Sequence, residues 1–424
     1  MSNCAIVGIN WGDEGKGRMV DLLTQDYDVV VRYQGGGNAG HTVVNEQGKF
    51  ALHLLPSGIF RKGVVNILGN GVALDCESLW AEITNVTGKG VSSTPENLKI
   101  SDRASLLLPW HRDLDGLEEA RLKDKKYGST KQGIAPFYSD KYQKKTIMAG
   151  ELLYPDKLWD RLADILEWKN LILTKVYGAK PYTMDDMKAW VADYGEKIKP
   201  FICDTGAFLR KANKEGKSIL FEAQLGSLRD LDYGIYPMTT SSNPIAAYAP
   251  VGSGYPEAKI EKVVGVVKAY SSCVGEGPFT CEWFGEEAEK LRDAGAEYGA
   301  KTGRPRRVGP IDIVATRYGI QCQGATDIAL TKLDVLSYMD EIPVCAHYEL
   351  RGEQTDEFPF PSLLPEAKPV METLPGWKCD ISGVRKWEDL PKEARDYVEY
   401  VERQVGCRIT YVSVGPERDS IIIR

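Results

Sequence analysis

The chain has 424 residues, 43% of them hydrophobic and 27% charged, enough to bury a sizeable core in one large α/β domain or in two to three average ones. A formal charge of −7 and a pI near 5.4 exclude a nucleic-acid or membrane surface as the main partner, while local basic clusters can still hold small phosphorylated molecules. Nine cysteines without a CxxC pair, and an N-terminus MSNCAIVGIN without a basic leader region, read as buried thiols in a cytoplasmic protein. No apolar run approaches the roughly 18 residues that span a bilayer.

Apolar runs at 5–7, 29–31, 65–68, 98–100, 219–221, 263–267, 328–330 and 409–412 predict strands, mostly separated by helical or mixed stretches. Several are continuous rather than alternating, as strands covered on both faces are. The fold class is therefore α/β, with a large, predominantly parallel central sheet flanked by helices. Between 154 and 217, Trp159, Leu162, Ile165 and Leu166, then Met187, Trp190, Val191 and Tyr194, recur at helical spacing and predict a helical insertion within one domain spanning 1–424. The proline-dotted stretch 351–375 predicts loops and edge strands, and 392–404 a surface helix before the last strand.

WGDEGKGR at 11–18 follows the first predicted strand and opens a helical pattern at Lys16. Backbone N–H groups at such a turn face an anion. It is not a Walker A loop, because Asn10 stands where the first glycine belongs and Gly17 replaces the Ser/Thr. A carboxylate about 4 Å from a phosphate charge is repelled by about 4 kcal/mol at an effective dielectric of 20. Asp13 and Glu14 in this loop therefore imply either a bridging metal ion or, for Asp13, a base; both readings are catalytic.

RYQGGGNAGHT at 32–42 follows the second strand. Its consecutive glycines let backbone approach a ligand, and Gln34, Asn38 and His41 are candidate hydrogen-bonding groups. TKLD at 331–334 has the [NT]KxD form that reads guanine: the aspartate accepts from N1–H and the exocyclic amine, while the lysine stem covers the ring. AKTGRPRRVG at 300–309 gathers Arg304, Arg306 and Arg307, whose forked guanidinium groups suit a dicarboxylate or a phosphate. MTTSS at 238–242 offers hydroxyls to a phosphate or forms a plain turn.

In this order, WGDEGKG, VVRYQGG-NAGHT, LHLLPSGI, ILGNGV, IYPMTTSSN, VGVVKAYSSCVGEGPF, the TGR-RR-G loop, LTKLDVL and SVGPERD make the chain resemble the adenylosuccinate synthetase family over nearly its full length. The resemblance implies a GTP-dependent ligase that joins L-aspartate to the 6-position of IMP through a 6-phosphoryl intermediate, with Mg²⁺ as cofactor and a homodimer as the assembly. It implies Asp13 as the base and, with the backbone of Gly40, as a metal ligand; His41 as the group stabilising the leaving diphosphate; and Lys16 as a holder of developing charge. GTP would be held by Gly12, Glu14, Gly15, Lys16, Gly17, Gly40, His41 and Thr42, and its guanine by Lys332, Asp334, Ser413 and Gly415. IMP would meet Asp13, Asn38, Thr130, Lys144, Gln224, Leu225, Thr240, Val274 and Arg304. Thr302, Arg304 and Arg306 would hold the carboxylates of aspartate.

The chain departs from the family pattern at several points. Asn10 replaces a glutamine, GGGNAGH stands for GGHNAGH, and Lys131 neighbours a lost arginine in the 129–136 segment. An arginine that reaches the partner subunit's nucleotide is matched by Lys144 or Lys145, which keeps the charge without the fork. In FEAQLG at 221–226 the purine-contacting glutamine falls on Leu225, with Gln224 one residue early. These changes leave a sister ligase acting on another 6-oxopurine, such as GMP or dGMP, as the alternative. TKLD and the glycine loop also admit a non-enzymatic GTP switch, against which stand Asp13, His41 and the missing Ser/Thr after Lys16.

Overall fold

The computed structural model describes residues 3–38, 40–45, 48–299 and 303–424, with the backbone alone for residues 41, 42, 44, 45 and 49. A ten-stranded sheet crosses the molecule. Its strands are β1 (Cys4–Gly8), β2 (Val29–Arg32), β3 (Val65–Leu68), β4 (Leu98–Ser101), β5 (Ile202–Cys203), β6 (Ile219–Gly226), β7 (Lys262–Lys268), β8 (Asp327–Thr331), β9 (Ile409–Ser413) and β10 (Ile421–Ile423). The order is β10-β9-β8-β7-β1-β6-β2-β3-β4-β5. Neighbours run parallel throughout except β9 and β10, which are antiparallel.

β1 explains why its sequence is a continuous apolar run. Ala5 and Val7 enter the core on one face of the sheet with Val31, Phe221 and Val267. Cys4 and Ile6 enter a second core on the other face, against Met19 and Val20 of the following helix α1 (Lys16–Leu23). Alternate side chains thus fill opposite cores, so both parities are apolar. All eight predicted strand segments lie in this sheet. β5 and β10 escaped prediction because one is two residues long and the other is half-exposed at an edge.

The predicted insertion is mostly helical, beginning with the helix Pro155–Leu171, but it is not a separate body. Leu162, Ile165, Leu166, Met187 and Trp190 share a core with Leu68, Leu98 and Ile100 of β3 and β4. Within the same stretch, β5 pairs with β4 through Ile100–Ile202 and Ser101–Cys203. The stretch 351–375 does contain edge strands: Glu353–Thr355 and Lys368–Pro375 flank Glu341–Leu350 in a small satellite sheet. The predicted surface helix is Lys392–Val405.

Because the strands are parallel, the segments that leave β1, β2, β6, β7, β8 and β9 emerge at one edge of the sheet, where α/β proteins bind ligands. That edge carries WGDEGKG, RYQGGGN, LGSLRD, AYSSC, KLD and VGPERD. β6 also bulges there. Ile6 pairs with Glu222, yet Gly8 pairs with Gly226, so three residues on β6 (223–225) oppose the single Val7 on β1. Leu225 takes a left-handed φ of 65° within this bulge.

Candidate active site

The two acids of the glycine loop point to different places. Glu14 lies beneath the loop, where its Oε1 accepts from the N–H groups of Gly12 (2.7 Å) and Asn10 (3.2 Å) and its Oε2 pairs with Lys16 Nζ at 2.7 Å. Both side chains are 3% exposed. A Cβ on Gly8 would come within 2.7 Å of that carboxylate and 2.8 Å of the ammonium, so glycine there makes room for the pair. Asp13, at φ 61°, turns outward and meets Arg306 Nη2 at 3.1 Å. The expected phosphate repulsion is thereby met for Glu14 by an internal cation.

Gly15 caps α1 with φ 99°, without a side-chain cap and without an acid in the first turn. The first amides of α1 are left for an anion. α1 is also tied to the last predicted motif: the Arg18 guanidinium donates to the carbonyls of Gly415 (2.6 Å) and Ser420 (3.0 Å) and to the Ser413 hydroxyl. Arg418 forks onto Asp21 at 2.7 and 2.8 Å. From the other side, the Thr331 hydroxyl donates to the Glu14 carbonyl at 2.7 Å, which joins the glycine loop to TKLD.

Asp334 stands beside Arg18, Lys332 and Glu417, and burial raises its carboxyl above the ordinary aspartate range. Its Oδ1 is buried without a hydrogen-bond partner. A buried acceptor left empty costs about 1–3 kcal/mol, which a ligand donor recovers. Lys332, with φ 60°, turns its ammonium to the Gly295 carbonyl and to Glu297 Oε1 at 3.0 Å.

In the second loop, Gln34 and Gln224 are occupied internally. Gln34 donates to the Gln224 carbonyl (2.7 Å) and accepts from Ser242 (2.9 Å), so the expectation that its amide serves a ligand is corrected. The Gln224 amide clamps Gly36, accepting from its N–H and donating to its carbonyl, both at 3.0 Å. Leu225 is the residue of the bulge that faces the glycine loop: a Cβ on Gly12 would lie 3.5 Å from its Cδ2. Asn38 Oδ1 accepts from Gly36 N–H at 3.3 Å, and Gly40 lies against His53. His41 and Thr42 begin the strand His41–Asn45; their side chains, and all of Thr302, fall outside the described residues.

Thr240 and Val274 are brought together by Arg229, a residue no motif announced. Its guanidinium donates to the carbonyls of Val274 (2.6 Å), Glu276 (3.1 Å) and Met238. Thr240 N–H in turn donates to the Arg229 carbonyl at 2.8 Å, leaving the Thr240 hydroxyl buried without a partner. Val274 is half-exposed. Thr130 is exposed just before Gly133, which caps the helix Ile134–Tyr142 at φ 77° with no side-chain cap. Asp115 orders this segment by accepting from Ser129 Oγ (2.6 Å) and Gly133 N–H (2.8 Å). Lys144, just past that helix, is exposed, and Arg304 lies 3.5 Å from Glu276.

The model of the adenylosuccinate synthetase family matches residues 5–422. The adenylosuccinate synthetase of Streptococcus gordonii is 45% identical over 420 residues, covering 99% of this chain and 97% of that protein. That of Bifidobacterium adolescentis is 45% identical over 423 residues, covering 100% and 98%. Among solved structures, fully ligated adenylosuccinate synthetase from Plasmodium falciparum superposes with a TM-score of 0.94 at 34% identity, covering 100% of both chains. Cyanophage S-2L succinoaminodeoxyadenylate synthetase, bound to dGMP and dATP, gives a TM-score of 0.64 at 20% identity over 100% of this chain and 95% of that one, a likeness of fold.

Proposed function

From the premise that the chain belongs to the adenylosuccinate synthetase family, we propose how its residues divide the work of that reaction. The chain is a C–N ligase that joins L-aspartate to IMP. In the reading proposed here, the Asp13 carboxylate takes the N1 proton of IMP, O6 attacks the γ-phosphorus of GTP, and GDP departs. The aspartate amine then displaces the 6-phosphate, giving adenylosuccinate and inorganic phosphate.

The ion pair between Asp13 and Arg306 at 3.1 Å carries this reading. It sets the guanidinium assigned to aspartate against the carboxylate assigned as base, so both substrates' chemistry belongs to one centre. Arg306 forks onto an incoming carboxylate and releases Asp13 as it does so. Two uncapped helix starts divide the phosphates: α1 takes those of GTP, and the helix after Gly133, with Thr130, takes that of IMP. Lys16 reaches GTP by exchanging Glu14 for phosphate. His41 steadies the leaving diphosphate, Thr302 and Arg304 assist Arg306, and Asn38, Thr240, Val274 and Leu225 line the purine nucleotide.

Among the described residues no cluster of three His, Cys, Asp or Glu side chains is arranged to hold a metal. That suits Mg²⁺, which is held by one or two carboxylates plus substrate phosphates. Asp13 and the Gly40 carbonyl are its proposed protein ligands, and when bound it supplies charge neutralisation along the phosphates. The proposed assembly is a homodimer in which Lys144 or Lys145 faces the partner's nucleotide. No helix among the described residues is long and apolar enough to cross a membrane, in keeping with the proposed cytoplasmic setting.

Incubating the protein with GTP, Mg²⁺, L-aspartate and either IMP or GMP tests the purine, with adenylosuccinate formation expected from IMP. Faster turnover of GMP would overturn that choice and give the Leu225 bulge a different purine. The guanine pocket has its own test. Asp334→Asn replaces an acceptor by an amide whose N–H₂ opposes guanine's donors, so preference for GTP over ATP is expected to fall about a hundredfold or more. Undiminished preference in a competition assay would take Asp334 out of the pocket.

A further inference from the structure

Glu297 lies outside every motif, five residues before the Thr302–Arg306 loop, and it is fully buried. It receives three cations and a phenol. Its Oε1 pairs with Lys268 Nζ at 2.7 Å and Lys332 Nζ at 3.0 Å and accepts from the Tyr270 hydroxyl; its Oε2 pairs with Arg306 Nη1 at 2.7 Å. The backbone repeats the attachment, since Arg306 N–H donates to the Glu297 carbonyl at 2.9 Å. The three cations hold the carboxyl well below the usual glutamate range despite its burial, while burial pushes the Lys268 ammonium down to about 8.

The two oxygens serve different places. Oε1 fixes the lysine of TKLD, whose stem is proposed to cover the guanine ring. Oε2 fixes the guanidinium whose other nitrogen touches Asp13. Lys268 closes the set from the end of β7, the strand between β1 and β8, and donates to Ser272 Oγ at 2.6 Å. Removing this charge would leave three cations facing one another around a buried centre without their shared counter-charge, where like charges repel.

We propose that Glu297 is a positioning residue shared by the nucleotide-base pocket and the aspartate-carboxylate clamp, holding Lys332 and Arg306 in register through its two oxygens. It touches neither substrate. The inference rests on the reading of Lys332 and Arg306 given above. It adds that both sites lose geometry together when one buried carboxylate is changed.

The test compares the full-length protein with its Glu297→Gln and Glu297→Asp variants, measuring KM for GTP, L-aspartate and IMP and the kcat ratio of GTP to ATP. Glu297→Gln is expected to raise KM for GTP and for aspartate at least tenfold each, to leave KM for IMP within twofold, and to be partly rescued on both ligands by Glu297→Asp. An equal rise for all three substrates, or a rise for only one of GTP and aspartate, would overturn the shared-anchor role. If Glu297→Gln does not fold, Lys268→Met reads the same linkage by removing one cation, with the same two constants expected to move in the same direction and unchanged constants counting against it. Asp334→Asn and Arg306→Lys are measured alongside. If the first leaves GTP preference intact or the second leaves the aspartate KM intact, the underlying site reading has failed; if both behave as assigned while Glu297→Gln moves one ligand only, the inference alone has.

Discussion

Asp13→Asn is expected to lower kcat about a thousandfold or more while leaving the fold intact and the affinity for GDP measured without Mg²⁺ within about threefold. The size follows from the role, because a positioned general base contributes about 10²–10⁴ in rate. The choice of asparagine follows from the backbone. Position 13 sits at φ 61°, a region Asn and Asp occupy more readily than other residues with a Cβ, so an alanine there would add strain to lost chemistry. The lost ion pair adds little, since Asp13 is 28% and Arg306 16% exposed and partly exposed pairs contribute about 0–1 kcal/mol. Arg306 also keeps its bond to Glu297. Steady-state rates and isothermal titration with GDP separate the two effects. A variant retaining more than a tenth of the wild-type kcat would remove Asp13 from the base role.

The eight long strands were legible because a parallel strand buried on both faces must be apolar at both parities, as β1 is with Ala5 and Val7 on one side and Cys4 and Ile6 on the other. The loops after them were legible because glycine at a strand end is a local signal. What the loops do with their polar atoms was not. Gln34 looked available for a ligand, yet its amide joins Gln224 to Ser242, residues about 200 positions away. Arg229 and Glu297 lie outside every motif and Arg18, the last residue of WGDEGKGR, has no role assigned there; their partners are set by which strands are neighbours. Arg18, for instance, finds the loop at 413–420 because β1 and β9 deliver both to the same edge. Glu14 and Lys16, two residues apart, form a pair only because Gly8 leaves a hollow beneath the loop.

The bulge at 224–225 gives the family departure a physical form. Two extra residues on β6 place Gln224 under the second glycine loop, where its amide is saturated by Gly36, and place Leu225 against Gly12. An apolar side chain therefore stands at the position where the family resemblance implies a purine-contacting amide. Under the proposed assignment, recognition of the ring would fall more heavily on Asp13 and on backbone, since Leu225 offers shape without a hydrogen bond.

Asp140→Ala is expected to destabilise the protein by about 3–5 kcal/mol through a buried cluster shared by three helices. Asp140 is the carboxylate between His111 Nε2, at 2.9 Å, and the Lys169 ammonium. His111 is fully buried, and the other two side chains are 3% exposed. Truncating Asp140 leaves an ammonium without a counter-charge in a dry site. The cluster joins the helices Pro109–Leu122, Ile134–Tyr142 and Pro155–Leu171, so urea denaturation should report the loss as a lower midpoint with an unchanged slope. His111 adds a pH signature. Its Nδ1 accepts from Leu108 N–H at 2.9 Å, so Nε2 donates to Asp140 and the ring is neutral; burial pulls its pKa below 6.5. The unfolded chain therefore binds a proton below pH 6.5 that the folded chain refuses. This contribution is complete above 6.5 and declines as pH falls below it, by up to about 1.4 kcal/mol per unit, until the lower folded value is reached. His111→Gln, whose amide still reaches Asp140, should have a lower stability at pH 7.5 but a shallower decline between pH 6.5 and 5.5. An equally steep decline would mean that other groups carry the acid sensitivity, and a midpoint unmoved by Asp140→Ala would mean that Lys169 finds water once the carboxylate is gone.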